Sequence, residues 1–511
     1  MRQLFRPSLV LFALLLTAVL VTGAVLLWPR DDRHPHPEPV PRGDHEIVWL
    51  SFASNYSTWE RFIKGIDTAV KRLAKDPAAP KLEVDLDRAY PLESTAVPEV
   101  VLSVEGVSGK LRIRWYKQTG NWRTHDWVEA LMARNPPPIA IIGGSFSDAA
   151  ITAARELADQ ATSLGGRAPL FFVTQATKTY LVKKINQAGE APPDVPYRDR
   201  TFRFCFTNSR LTASVCDFIW GSDVLRPTCG ECYIPYWEDD RYSEDLREAF
   251  KDTVKIRSSL YPILTSVGTF DRPNREESQW ASQLMDDLTK QPDSCRPLLV
   301  LSGQLQPSRR FLRALARLDP NVIPRLVATT GDAVSFNTIY RDRNVAWPIQ
   351  DFPCDLILFA HRNPVAGDAG FQRVARGAEQ GMGSGPGSTG TEDVLLYADM
   401  IEALTFTAFH DKKLVADADE MREQLRQMRW NRHDEQVCLD QQQPLLFAEN
   451  GDRAPGTGEC IIWLQPKQSR GVVLPEGALR VYHHARETGG EPWTSFWEDT
   501  ELPFEGAAKP H

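Results

Sequence analysis

Short apolar runs alternate with amphipathic stretches along most of the chain, and this alternation limits the possible folds more than any other feature. The run EIVWLSFA, residues 46–53, has the composition of a buried strand, and WERFIKGIDTAVKRLA, residues 59–74, repeats apolar residues at helical spacing. IAIIGG, residues 139–144, precedes the strongly helical AAITAARELADQAT, and APLFFVT follows as another strand. Strand, polar turn and helix in repetition predict a parallel sheet with helices on its faces.

A second alternating series begins at FRFCFT, residues 202–207. Strand-like and helix-like stretches follow in turn, among them CYIPYW (232–237), SEDLREAFKDTV (243–254) and PLLVLSG (297–303). Residues 81–108 break the alternation of the first series, and we interpret them as an insertion of short strands or an excursion. The sequence therefore predicts an α/β protein with two doubly wound, Rossmann-like lobes, each large enough for its own core.

The N-terminal segment predicts a membrane anchor. Arg2 and Arg6 precede an uncharged, largely apolar run at residues 9–28. About 20 such residues, at about 1.5 Å each, cross a hydrocarbon core of roughly 30 Å. Positive charge in front of the run holds that end in the cytoplasm, which places the rest of the chain outside. A cleaved signal peptide is the alternative. The proline-rich residues 31–44 are interpreted as an extended linker.

Eight cysteines all follow the predicted anchor, and their even number allows disulfides. The two in CGEC, residues 229–232, have the spacing of a redox motif or of half a zinc site. A redox motif opens a helix after a strand, whereas this one precedes a strand, and a zinc ribbon needs a second CxxC that the sequence lacks. The CGEC motif is therefore interpreted as a structural turn or a disulfide. We expect no metal and no cofactor.

Composition and motifs exclude several functions. The net charge of −8 and the lack of a Lys/Arg stripe argue against nucleic acid as a partner, because phosphate binding needs a basic surface. The sequence contains no HExxH, no Walker loop and no GxSxG elbow. An enzyme is therefore not predicted.

Several stretches between residues 46 and 480 occur in an order that is known from a protein family. They are IAIIGGSFSDAAITAARELAD, PLFFVTQATKTY, TFRFCFTNSR, YWEDDRYSEDLREAFKD, LVLSGQLQPSRRFLRALARL, VATTGDAVSF, YADMIEALTFTAF and FAENGDRAPGTGECIIWLQ. Through this order the chain resembles the type I periplasmic binding proteins. The most similar branch is the Leu/Ile/Val-binding proteins of ABC transporters, whose fold also forms the ligand-binding regions of several receptors.

The resemblance implies two α/β lobes joined by three chain crossings, with a small solute enclosed between them. The crossings are expected near residues 205–209, 332–336 and 443–447. The expected segments are a transmembrane helix (1–30), a linker (31–44), a first lobe (45–207 with 333–445), a second lobe (208–332 with 446–490) and a C-terminal tail (491–511).

Polar side chains that follow strands of the first lobe are candidates for holding the solute. Ser145 and Ser147 lie between a strand and a helix start, where hydroxyls and free backbone N–H groups suit a carboxylate. The resemblance implies that Gln175 and Thr177 grip the ends of an amino acid. Ordinary capping of a helix is the alternative role of such residues.

In the second lobe, Tyr242, Gln304 and Asp332 follow successive strands and are expected at the cleft. Asp332 lies where amino-acid-binding members of the family carry an acid for the ammonium group of the ligand, and a turn aspartate is the alternative. Asp239 and Asp240 are expected to shape and cap the turn before the next helix.

The predicted function is that of a membrane-tethered, extracytoplasmic solute-binding protein. It would close around an amino acid or a related small polar metabolite and deliver it to an ABC permease. The alternative is a sensor ectodomain of the same fold, which signals through a membrane partner protein and has no role in transport. Both place the bulk of the chain in the periplasm, anchored by a single N-terminal span.

Overall fold

The fold is described from a computed structural model of the 511-residue chain. The residues that the structure describes are 35–77, 79–144, 146–164, 167–178, 197–269, 276–303, 305–318, 325–332, 341–342, 345–346, 352–363, 391–410, 413–466, 468–469, 472–473, 478–485 and 495–502. The strands are β1 (His45–Phe52), β2 (Leu82–Asp85), β3 (Glu99–Val104), β4 (Leu111–Gln118), β5 (Ala140–Gly143), β6 (Leu170–Val173), β7 (Thr201–Arg203), β8 (Glu231–Tyr236), β9 (Tyr261–Ser266), β10 (Leu298–Leu301), β11 (Val327–Asp332), β12 (Arg341–Asp342), β13 (Val345–Ala346), β14 (Asp355–Ala360), β15 (Arg429–Asn431), β16 (Gln436–Cys438), β17 (Cys460–Gln465), β18 (Gln468–Ser469), β19 (Val472–Val473), β20 (Ala478–Ala485) and β21 (Ser495–Leu502). The helices are α1 (Tyr56–Leu73), α2 (Thr124–Met132), α3 (Ser147–Leu164), α4 (Asn208–Gly221), α5 (Arg241–Arg257), α6 (Glu276–Thr289), α7 (Leu305–Leu315), α8 (Thr391–Ala408) and α9 (Ala418–Gln427).

The first sheet has the strand order β2-β3-β4-β1-β5-β6-β7. Strands β4, β1, β5, β6 and β7 run parallel, and β2 and β3 are antiparallel strands added beyond β4. The segment 81–108, which breaks the alternation in the sequence, thus extends the sheet as two short strands.

Helices cover both faces of the first sheet, because successive side chains of a strand point to opposite faces and both sets are apolar here. Ile47 and Trp49 of β1 face the core under α1 and α8. Val48 and Leu50 face the core formed with α2 and α3.

The second sheet has the order β21-β20-β17-β14-β11-β10-β8-β9. Strands β9, β8, β10, β11 and β14 run parallel, whereas β17, β20 and β21 are antiparallel. Helices α4 and α5 pack on one face of this sheet, and α6 and α7 on the other. The prediction of an α/β fold with two sheets is confirmed, each sheet having a parallel centre and an antiparallel edge.

Two segments lie in a different part of the fold from the one expected. Residues 333–445 were assigned to the first lobe, but β14 pairs with β11 and β17 in the second sheet. All six residues of β14 are buried, and such a strand needs hydrogen-bonded neighbours on both sides, which only the interior of a sheet supplies. The expected tail 491–511 contributes β21, which pairs with β20 at the edge of the second sheet.

The described residues show three places at which the chain passes between the two cores. The first crossing runs from Phe204, in the first core, to Phe206, in the second. The second follows β14 and leads to α8, so it lies after residue 360 and not near residues 332–336. The third leaves the first core after Phe447 and enters the second sheet at Cys460.

Residues 35–44, here called the N-terminal strap, are bound to the first lobe, although the sequence was interpreted as a linker without contacts. Both carboxylate oxygens of Glu38 accept hydrogen bonds from Arg88 at 3.0 Å. Arg114 donates to the carbonyl of Glu38 at 3.0 Å, and Arg112 pairs with Asp44 at 2.7 Å. The strap therefore forms part of the first lobe.

The predicted membrane anchor, residues 9–28, lies outside the described residues. In the part of the chain that the structure describes, no helix combines the length and the apolar character that a membrane span requires.

One disulfide joins Cys229, in the CGEC motif, to Cys295, just before β10. The other cysteine of the motif, Cys232, is a free thiol buried in the second core. The interpretation of the motif as a structural disulfide is thus confirmed for its first cysteine only. The bond closes a sequence separation of 66 residues that includes β8, β9, α5 and α6.

We expect the double substitution Cys229→Ser/Cys295→Ser to lower the free energy of unfolding by about 4 kcal/mol, because opening a loop of this length increases the entropy of the unfolded chain. Urea titration of the wild type with and without reductant should show the same loss, and the variant should not respond to reductant. Thiol counting in denaturant should find six free thiols per chain; a count of eight would contradict the bond.

Candidate functional site

The carboxyl ends of the parallel strands of the two sheets lie near each other, because the helices that follow β5 and β8 are in contact. Helix α3 begins directly after β5 of the first sheet, and α5 begins after β8 of the second. Arg241, the first residue of α5, forms an ion pair with Asp148, the second residue of α3, at 3.2 Å. Crevices at this edge of an open α/β sheet are where such folds bind ligands, because loops and helix N-termini meet there.

In the first lobe, the structure places Ser147 at the start of α3 and buries its side chain. Gly144, which follows β5, has a φ of +73°, a conformation that L side chains rarely adopt, so the turn into α3 requires glycine. Ser145 lies outside the described residues. The strand-to-helix turn expected from the sequence is therefore present, and ligand contact by these serines stays a prediction.

Gln175 and Thr177 follow β6 and are bonded to other parts of the protein. The side-chain amide of Gln175 donates to the hydroxyl of Tyr397 on α8 at 3.1 Å. The carbonyl of Thr177 accepts the backbone N–H of Asn208 at the start of α4, and its side chain is buried. Gln175 thus connects the loop after β6 to α8 of the first lobe, and Thr177 connects it to the start of α4. Their predicted contact with a ligand remains untested.

In the second lobe, Tyr242 lies in the first turn of α5, and its hydroxyl lies against Gly331 at the carboxyl end of β11. A Cβ atom at Gly331 would overlap that hydroxyl, so glycine is needed for this close approach. Asp240 is the N-cap of α5 and accepts the backbone N–H of Tyr242 at 3.2 Å, as expected from the sequence. Asp332 is the last residue of β11, and its side chain, like the whole of Gln304, lies outside the described part.

Sequence reasoning missed an aromatic surface at the carboxyl edge of the first sheet. Phe52, the last residue of β1, and Phe146, just before α3, stack with ring centroids 5.7 Å apart and an angle of 9° between the rings. They remain 40% and 46% exposed. Tyr56 and Tyr90 form a second pair there, 6.2 Å apart. Phe146 in the stretch GSFSD could have indicated this surface, because it is a large apolar residue between polar ones at a strand-to-helix turn.

A cluster of buried charges lies where the crossings meet. Asp399 on α8 forms ion pairs with Arg453 at 2.9 Å, with Arg362 at 3.3 Å and with Arg72 at 3.2 Å. The guanidinium groups of Arg362 and Arg453 lie 4.3 and 5.0 Å from the ring of Trp430. The side chains of Asp399, Arg362 and Arg453 are completely buried, so these charges depend on one another.

Hydrogen bonds within this cluster connect all three crossings. Arg453, on the third crossing, donates to the carbonyl of Phe204 on the first at 3.0 Å. The Nδ1 atom of His361, on the second crossing, accepts the backbone N–H of Phe206 on the first at 2.9 Å. Burial, and secondarily the positive charge of Arg453, lowers the pKa of His361 to about 3. His361 is therefore neutral at physiological pH.

A metal is not indicated in the described part of the chain, where no three His, Cys, Asp or Glu residues are grouped to hold an ion. The arrangement instead brings polar helix starts of both lobes together, with exposed aromatic rings on the first-lobe side. Such a site can bind a small molecule without chemical change.

No protein-family model matches the chain, and no curated protein matches it. Among solved structures, the leucine-, isoleucine-, valine-, threonine- and alanine-binding protein of Brucella ovis in its closed conformation has 10% identity and a TM-score of 0.49, over 91% of this chain and 97% of that one. An ABC transporter substrate-binding protein of Desulfitobacterium hafniense, in complex with Leu, has 12% identity and a TM-score of 0.48, over 84% and 99% of the two chains. A putative branched-chain amino acid ABC transporter protein of Silicibacter pomeroyi has 12% identity and a TM-score of 0.49, over 85% and 96%. These neighbours are of the class that the sequence resembles, and none is named as an enzyme.

Replacing Asp399 should destabilise the protein strongly. In Asp399→Asn, the buried arginines lose the carboxylate that balances them, and we expect the free energy of unfolding to fall by about 3–5 kcal/mol. Asp67→Asn is the matched control, because Asp67 pairs with Lys71 on the exposed face of α1 and its loss should cost less than about 0.5 kcal/mol. Urea titration compares the two; similar losses would show that the cluster does not hold the crossings.

His361 should make stability depend on pH. The unfolded chain binds a proton on this histidine below about pH 6.5, whereas the folded chain does so only near pH 3, so falling pH favours unfolding between these values. From pH 6.5 to 5 the loss should be roughly 2 kcal/mol. His361→Asn retains an acceptor for the N–H of Phe206 but cannot titrate.

Urea titrations of both proteins at pH 7 and pH 5 test this expectation. The asparagine variant should lose less stability on acidification than the wild type by roughly 2 kcal/mol. Equal losses in the two proteins would mean that His361 takes up its proton in the folded state.

Proposed function

We propose that the chain is a two-lobed binding protein that holds a small solute in the cleft between its sheets and closes around it. The observation that carries this proposal is the arrangement of the lobes. Their parallel sheets turn their carboxyl edges towards each other, and the chain crosses between them three times in one bonded cluster. Two lobes that are joined by crossings on one side and separated by a cleft on the other can open and close by a hinge motion.

The contact across the cleft is weak compared with the crossings. Arg241 and Asp148 are 63% and 54% exposed, and an exposed ion pair contributes about 0–1 kcal/mol. A solute that touches both lobes would therefore add much of the free energy that favours the closed arrangement. The protein would thus respond to the solute by a shift between open and closed populations.

The disulfide between Cys229 and Cys295 supports an extracytoplasmic location, because such bonds persist in oxidising compartments. As part of this proposal, residues 9–28 anchor the chain in the membrane and the rest of the chain lies in the periplasm. An ABC permease is the partner that we propose for the loaded protein, and an amino acid or related metabolite is the first class of solute to test. Loss of solute uptake on deletion would separate transport from sensing through a signalling partner.

The first experiment is a thermal-shift screen of the purified full-length chain against amino acids and small organic acids. A solute at 100 times its dissociation constant should stabilise the protein by about 2.7 kcal/mol. Tyr242→Phe and Ser147→Ala then test the predicted contacts, since each removes one hydroxyl that is predicted to contact the solute.

A cross-link between the lobes provides the sharper test. In Asp148→Cys/Arg241→Cys, a short bismaleimide should join the lobes at the mouth of the cleft. Cross-linking before the solute is added should abolish its thermal shift, and cross-linking afterwards should retain the solute through dialysis. The control is Asp67→Cys/Lys71→Cys, whose cross-link lies within α1. A full response to solute in the pre-linked protein would place the binding site outside the cleft.

A further inference from the structure

The exposed aromatic side chains of the described residues are unevenly distributed. Those among the exposed large hydrophobic residues are Phe52, Tyr56, Tyr90, Phe146 and Tyr261. The first four form two pairs at the carboxyl edge of the first sheet and are here called the aromatic rim. Tyr261 begins β9, at the opposite end of an edge strand of the second sheet.

Neighbouring strands place the two phenylalanines side by side. β1 and β5 pair in parallel, so the residues that follow their paired segments emerge at the same edge. Phe52 and Phe146 stack there at 5.7 Å, and each still exposes nearly half of its side chain. Their mutual contact therefore leaves aromatic surface free to receive a further ring.

The tyrosines form the second pair of the rim. The ring of Tyr56, at the start of α1, lies 6.2 Å from that of Tyr90 and 6.5 Å from the buried ring of Trp115. Tyr90 comes from the inserted segment 81–108, and the loop between β2 and β3 brings it to the edge of the sheet. The insertion thus adds an amphipathic ring to the cleft side of the first lobe.

The aromatic rim adjoins the point where the lobes approach each other. Phe146 stands two residues before Asp148, which pairs with Arg241 of the second lobe at 3.2 Å. A solute held between the lobes beside this ion pair would therefore lie next to exposed rings. Rings favour flat partners, because stacked and edge-to-face contacts between aromatic groups are more favourable than their area alone implies.

We propose that the solute carries an aromatic ring, which packs on Phe52 and Phe146, together with a charged or polar end. This inference rests on the proposed function and narrows its solute class from small polar metabolites to aromatic ones, such as aromatic carboxylates or aromatic amino acids. The ring of the solute packs on the stacked pair, and the hydroxyls of Tyr56 and Tyr90 provide polar groups at the same edge of the sheet.

The test compares matched solutes on the full-length chain. Phenylacetate and indole-3-acetate are set against acetate and hexanoate, and phenylalanine and tryptophan against leucine. Glucose is included as a solute whose saturated ring can stack on aromatic side chains but is not itself aromatic. Titration calorimetry should give at least 10-fold tighter binding for the aromatic member of each set.

Phe146→Leu and Phe52→Leu should each weaken aromatic binding about 10-fold, and the control Tyr261→Leu should leave it unchanged. Both phenylalanines are partly exposed, so melting temperatures of these variants should match the wild type.

The outcomes separate this inference from the proposed function. If leucine, hexanoate or glucose binds as tightly as the aromatic solutes, or if aromatic binding survives both leucine substitutions, the inference is wrong and the two-lobed binding function stands. If no solute of either kind binds, both fail. If aromatic solutes bind equally well to the protein cross-linked between residues 148 and 241, they bind outside the cleft, and the inference is overturned.

Discussion

The structure depends on one buried carboxylate, that of Asp399, which balances positive charges from separate parts of the chain. Arg362 and Arg453 reach it from the second and third crossings, and Arg72 reaches it from α1. Because a buried charge without a partner is very unfavourable, the burial of these segments depends on these ion pairs. Gly458, with a φ of +105°, leaves the space that the guanidinium group of Arg362 occupies. Ion pairs and hydrogen bonds at the crossings thus help to hold the two lobes together.

The cleft differs from the crossings, because its charged and aromatic groups are exposed rather than buried. Where the crossings are buried and held by ion pairs, the mouth holds an exposed ion pair, helix starts and partly exposed rings. A region bonded on one side and weakly held on the other can open and close without disturbing either core. The N-terminal strap is bound to the first lobe, so a tether at that end would hold this lobe.

Much of the fold could be predicted from the sequence, and the failures have a common physical origin. The alternation of apolar runs and amphipathic helices was sufficient for two sheets with helices on both faces. It did not assign β14 or β21 to the second sheet, because a strand's apolar pattern reports burial and not its neighbours. The strap was interpreted as a free linker, since Glu38 and Asp44 reveal their arginine partners only in the folded chain. At the site, the turns that carry Ser147 and Tyr242 were predicted, whereas the partners of Gln175 and Thr177 and the exposure of Phe52 and Phe146 were not.

The sequence by itself determined which segments form strands and helices and where the turns at the carboxyl edges fall, because periodicity and capping residues act over a few neighbouring positions. Only the tertiary structure decided which strands are neighbours, which cysteines are bonded and which rings remain open to solvent. Those properties depend on contacts between residues far apart in the chain, such as Cys229 with Cys295 or Arg72 with Asp399, and no local pattern encodes them.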